Sequence, residues 1–267
     1  MPVTVTDRVP VWPVFLVYAS AFAAVAALSL VAALVLQSLY PDVPAQVVLD
    51  GLPGLLAGGM ASSTALVLTA LIAARPVDLA RLRLVPGRET GRAIGIMVIG
   101  MLALGQTLDS LTMLVGLGNV GSMPGIRRAL TGAAGPDLGS AVLVIGVMAA
   151  TAEEVFFRAY MQSRLRERWG VTLTVIATSA CFGLMHVEWL HAVLAFLLGL
   201  YLGFLTERSG SALPAVVCHV ANNVIFTLLT ALLGTVEEFW PNAALLASGA
   251  LAFAGALTWL RRALPRP

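Results

Sequence analysis

The stretch Ala141-Val142-Leu143-Val144-Ile145-Gly146-Val147-Met148-Ala149-Ala150-Thr151-Ala152-Glu153-Glu154-Val155-Phe156-Phe157-Arg158 decides how the chain folds. It starts as the text of a helix crossing hydrocarbon, then places two carboxylates and an arginine within six residues. An ionisable group at bilayer depth costs at least ~2.5–3.5 kcal/mol even on the most lenient insertion scale. A cluster of three therefore needs partners, a wet cavity or chemistry. At i,i+4 spacing Glu154 and Arg158 share a helix face and can pair, while Glu153 points about 100° away, free to face another helix.

The rest of the chain repeats the apolar half of that pattern. Of its 267 residues 59% are hydrophobic and 11% charged, far from the roughly 25% charge of a soluble domain. Apolar runs near 11–36, 51–74, 93–118, 140–162, 171–189, 190–206, 211–234 and 239–260 are each near the ~20 residues that cross the hydrocarbon as helix. The reading is an all-α, polytopic membrane helical bundle of about eight transmembrane helices. One integral membrane domain spans 1–267, with a catalytic core at about 140–234. The first run is too long for a signal-peptide h-region and continues past Ala19 to Ala21, so it is expected to stay as an anchor. Cys181 and Cys218 both fall inside spans and imply no disulfide framework.

All 16 basic residues are arginines. Arg75, Arg81, Arg83, Arg88 and Arg92 follow span 2; Arg164, Arg166 and Arg168 follow span 4; Arg208 follows span 6; Arg261, Arg262 and Arg266 follow span 8. Arginine excess marks the cytoplasmic side, which puts both termini in the cytoplasm, with Arg127 and Arg128 as outward exceptions. These arginines anchor helix ends at the headgroups, and no nucleic-acid partner is implied. The 75–92 connector is expected to carry a short interfacial helix around Val77 to Leu84, and the 118–139 segment one around Ile126 to Thr131.

Spans 4, 5 and 7 hold nearly all the intramembrane polar chemistry. Span 5 ends in Phe182-Gly183-Leu184-Met185-His186, and span 7 contains His219-Val220-Ala221-Asn222-Asn223. His219 and Asn223, at i,i+4, can point together at one substrate atom. Asn222 is expected to point away from that face and bond a neighbouring helix. Glu188 and His191 read as solvated residues of the turn between spans 5 and 6. Asp109 either nears the outer interface or lines the same cavity. The Gly199 to Gly203 spacing reads as close helix packing. From assumed span boundaries, His219 lies about 12 Å deep, Glu153 about 16 Å and His186 about 24 Å, depths that do not coincide.

Taken in order, Glu153-Glu154-x-x-x-Arg158, Phe182-x-x-x-His186 and His219-x-x-x-Asn223 resemble the CAAX protease and bacteriocin-processing (CPBP, or Abi) family of intramembrane endopeptidases. The resemblance covers roughly 140–234 with no departure at the motif positions. The first half shares only its hydrophobicity and a basic loop before span 3. It implies that Glu153 activates water, assisted by His186, that His219 and Asn223 steady the oxyanion, and that Glu154 and Arg158, with Phe182, organise the site. Peptide hydrolysis needs a base, a proton shuttle and oxyanion donors, and these residue types supply each. The expected partners are a membrane-anchored protein or peptide substrate and the lipid bilayer, in a bacterial cell membrane. No organic cofactor is expected. Glutamate chemistry without metal is the favoured mechanism, and zinc held by Glu153, His186 and His219 is the alternative. A proton-coupled carrier and a non-catalytic immunity protein stay open as other classes. Crowding of the polar residues into one half, without internal repeats, disfavours the carrier.

Overall fold

In hydrocarbon a backbone N–H or C=O finds no water, so each apolar run closes its own hydrogen bonds as helix. The computed structural model describes residues 10–264. In chain order it holds α1 (Trp12–Leu39), α2 (Leu52–Ala73), α3 (Gly91–Leu114), α4 (Gly135–Arg166), α5 (Val171–Leu184), α6 (Trp189–Ser209), α7 (Leu213–Leu233) and α8 (Phe239–Ala263). Short helices Ala45–Leu49 and Met123–Leu130 lie in connectors, and no strand occurs among the described residues. Local chemistry sets several ends. The Thr90 hydroxyl accepts from the Ala93 N–H at 3.2 Å to start α3, Pro214 sits in the first turn of α7, where its missing N–H costs nothing, and Gly210 at φ 78° ends α6.

The helical, membrane-spanning architecture expected from sequence is present, with one adjustment. Seven helices are long and apolar enough to cross a membrane. The fifth run instead gives the 14-residue α5, about 21 Å long against ~30 Å of hydrocarbon. The chain then turns back toward α6 so sharply that Val187 takes φ 62°, a left-handed conformation that strains a β-branched residue. Helix α4 is irregular too, with π-helical stretches Val142–Ala149 and Val155–Gln162 flanking the α-helical Ala150–Glu154. Such stretches recur at functional sites.

Helix α1 packs on α2, α5 on α6 and α8 on α3, while α7 lies against α3, α4 and α6. One apolar core joins Phe156, Phe157 and Met161 of α4 to Leu66 of α2 and Phe182 of α5. A second joins Met97 and Met101 of α3 to Leu202 and Leu205 of α6 and Leu260 of α8. The α4 face carrying the carboxylates is thereby held among other helices.

The basic ends gather on one face. Arg83 reaches Glu207 at 2.8 Å, Arg166 reaches it at 2.9 Å, Arg81 pairs with Glu167 at 3.0 Å, and Arg208 donates to the Leu264 carbonyl at 2.8 Å. Phe15, early in α1, packs on Trp169, so α1 starts and α8 ends on this same face. Arg266 lies outside the described residues. The helix expected around Val77 to Leu84 does not form. Asp78 instead caps a run of turns, its carboxylate accepting from the Ala80 and Arg81 N–H groups. On the opposite face Met123–Leu130 confirms the short helix expected there, and Arg127 pairs with Asp109, which places Asp109 at that interface. Both cysteines are buried and free.

Candidate active site

Helix α4 delivers Glu153 and Glu154 from its α-helical segment, and α7 delivers His219 from its second turn. The Glu154 side chain is fully buried, and its Oε1 accepts from His219 Nδ1 at 2.8 Å. Its Oε2 lies 3.4 Å from Nε of the equally buried Arg158, the pair expected from i,i+4 spacing. Arg158 also donates through Nη2 to the Gly199 carbonyl at 3.3 Å and lies 5.1 Å over the Phe182 ring. A Cβ added at Gly199 would come within 3.2 Å of Arg158 Nη2 and 3.1 Å of Phe182, so that glycine is what lets the guanidinium in.

Glu153 turns the other way, as its 100° offset requires. Its Oε2 is 3.6 Å from His219 Nε2, and its side chain is 20% exposed where that of Glu154 is 0%. One imidazole thus stands between two carboxylates from adjacent positions. Both nitrogens are engaged, one at hydrogen-bond distance and the other just beyond it.

Phe182 joins this group to the third motif. Its ring meets His219 edge-on at 5.9 Å and His186 at 5.1 Å. His186 lies past the end of α5, where Nδ1 donates to the Phe182 carbonyl at 2.9 Å. His186 makes no ion pair with Glu153 among the described residues; its ring instead meets Phe182 and His191. His219 and Glu153, expected at different depths, meet at 3.6 Å, and His186 lies at the α5 to α6 turn.

Asn223 shares the His219 face as expected, but its amide is occupied. Nδ2 donates to the Ile145 carbonyl at 3.3 Å and Oδ1 accepts from Asn222 at 3.3 Å. One N–H of Asn223 stays available. Asn222 does not turn away from Asn223 as expected, since its Nδ2 donates to Asn223 Oδ1, while its own Oδ1 lies over Gly105 of the neighbouring α3, where a Cβ would come within 2.6 Å.

The turn residues differ from expectation. His191 belongs to the first turn of α6, lies tilted against His186 at 4.1 Å between ring centroids and approaches Ser122 Oγ at 3.4 Å. Glu188 is the α6 N-cap, accepting from the Leu190 and His191 N–H groups at 2.8 and 3.0 Å. The short α5 returns the chain early and draws His191 into the fold, while Glu188 stays in the turn, partly exposed, with its carboxylate bound to the backbone. Burial opposes ionisation of Glu188, but backbone N–H donors of His191, Leu190 and Ser122 hold its carboxyl below the usual range.

Sequence reasoning missed Gln162 and Glu207. Glu154, Arg158, Gln162 and Arg166 recur every four residues along α4, opposite Gly199, Gly203 and Glu207 on α6. Arg158 donates to the Gly199 carbonyl, Gln162 to the Gly203 carbonyl at 3.1 Å, and Arg166 to the Glu207 carboxylate at 2.9 Å. Gln162 also donates to Glu207 at 2.9 Å. The Gly199 to Gly203 spacing therefore does more than bring helices close, since each glycine carbonyl takes a side-chain donor. The signal in the sequence was the four-residue repeat of polar positions through α4.

Glu153, His186 and His219, the set named for zinc, do not gather as one three-donor group among the described residues. Among the described residues no three His, Cys, Asp or Glu side chains gather as a metal site. Nδ1 of His219 is bonded to Glu154 and Nδ1 of His186 to the Phe182 carbonyl, which leaves Nε2 of each ring open.

Residues 136–225 match the family model described as type II CAAX prenyl endopeptidase, Rce1-like. No curated protein matches the chain.

Proposed function

Since residues 136–225 of the chain form a CPBP-family domain, we propose that this multi-pass integral membrane protein is an intramembrane endopeptidase whose water is activated by Glu153. The observation that supports the reading is a convergence. A half-open carboxylate on α4 and an imidazole on α7 approach to 3.6 Å inside the helical bundle. Groups so placed without chemistry to do are rare in membranes.

In this reading Glu153 takes a proton from water as the oxygen attacks the scissile carbonyl, then returns that proton to the leaving amine nitrogen. His219 and the unused N–H of Asn223 face the oxyanion of the tetrahedral intermediate. His186, with its proton on Nδ1, presents Nε2 as a further acceptor from beyond Phe182. Arg158 holds Glu154, and Phe182 spaces the two imidazoles. No step in this reading runs through a metal, because Glu153, His186 and His219 do not gather as one donor set among the described residues.

The substrate class is a protein or peptide cut near its membrane-anchored end, and an all-arginine, Ala-rich chain suits a bacterial cell membrane. The test is quantitative proteomics of membranes from cells lacking the protein. We expect an uncut membrane-anchored protein to accumulate and to be processed again on complementation. An unchanged membrane proteome would count against the reading.

A further inference from the structure

Glu154 has a closer engagement with His219 than with Arg158. Carboxylate oxygens only accept, so the 2.8 Å contact between Glu154 Oε1 and His219 Nδ1 requires the hydrogen to sit on Nδ1. The carboxylate is fully buried, is backed by Arg158, and is shielded from bulk solvent. Phe182 meets the imidazole edge-on at 5.9 Å and limits its rotation.

We infer that Glu154 is a positioning residue which fixes the tautomer and ring orientation of His219, so that Nε2 alone faces Glu153 and the substrate. Carboxylates orient imidazoles in this way in other hydrolytic and metal sites. The inference deepens the endopeptidase reading and rests on it for its consequence, although the tautomer itself does not. With Nδ1 committed, Nε2 carries a hydrogen only when the ring is an imidazolium. His219 can then serve an oxyanion as a donor only in that charged form, flanked by Glu153 and Glu154. A neutral ring with the opposite tautomer could donate from Nε2 without either carboxylate, and the geometry disfavours it.

The chain has three histidines, which makes a direct observation practical. The full-length protein would be labelled with 15N-histidine, reconstituted in bilayers and studied by magic-angle-spinning NMR, with His186 and His191 assigned by His186→Gln and His191→Gln. We expect a proton on Nδ1 of His219 in the wild type. In Glu154→Gln the amide can donate to Nδ1, so we expect that proton to move to Nε2, with Glu154→Asp restoring the wild-type pattern. A neutral wild-type ring bearing its proton on Nε2 overturns the inference. The wild-type spectrum decides alone if Glu154→Gln fails to fold. With a substrate in hand, Glu154→Gln is expected to lower kcat at unchanged KM and Glu154→Asp to recover part of it; equal losses in both would mark a structural role. Because the spectra need no substrate, a failure of the endopeptidase reading would leave the tautomer result standing and separately visible.

Discussion

Glu154 and Glu207 are both buried carboxylates holding arginines, at opposite ends of one polar column, and they answer to different surroundings. Around Glu154 water is shut out: Arg158 is fully buried and the His219 side chain is 7% exposed. Around Glu207 the arginines reach the surface, with Arg83 22% and Arg166 25% exposed. The inner set is stabilising only as a complete set, since any member left alone is a charge stranded in low dielectric. The outer set can lose a member and let solvent substitute. Depth therefore sorts these groups more strongly than their number of contacts.

The contrast yields a graded series of outcomes in detergent-solubilised protein. Arg158→Ala strands Glu154 and is expected to cost about 3–5 kcal/mol, read as loss of folded yield or a large fall in unfolding midpoint, while Glu153→Gln leaves that midpoint near wild type. Equal midpoints for the two variants would erase the distinction between the buried and the half-open carboxylate. Glu207→Ala removes the acceptor of Arg83, Arg166 and Gln162; with solvent relief it is expected to cost about 1.5–3 kcal/mol, less than Arg158→Ala in the same denaturant titration.

Glu188→Ala removes the α6 cap, with an expected loss of about 0.5–2 kcal/mol. Its carboxyl is lowered in the folded state, so its contribution is fully present above the ordinary carboxylate pKa of about 4.3 and is lost as pH falls through the lower folded value. The midpoint difference between wild type and Glu188→Ala should accordingly narrow in acid and stay constant near neutrality. A difference that grows in acid would reverse that sign. Arg81→Ala, at an ion pair with side chains 55% and 40% exposed, is expected to cost about 0.2–1 kcal/mol and to lose even that in high salt.

Helix spacing explains what could be read before the fold was known. The i,i+4 rule anticipated the pair of Glu154 and Arg158 and the shared face of His219 and Asn223, because both depend on one helix alone. It could not show His219 bonded to Glu154, which depends on how α7 sits against α4. The 41-residue register that pairs Arg158, Gln162 and Arg166 with α6 was likewise invisible, although the polar repeat on α4 hinted at it. His191 was misread because hydropathy gave α5 a full span. Its actual end at Leu184 draws the turn inward. The expected helix at Val77 to Leu84 gave way to turns once Asp78 offered its carboxylate to the backbone.

What remains is the chemistry assigned to the half-open carboxylate. The measurement is turnover of a membrane-anchored substrate, drawn from the proteomic screen, by wild-type protein and Glu153→Gln in the same liposomes. Loss of the general base is expected to lower kcat by roughly 10²–10⁴-fold, with the unfolding midpoint held. Wild-type turnover by Glu153→Gln would show that Glu153 is not the base and that the water is activated elsewhere.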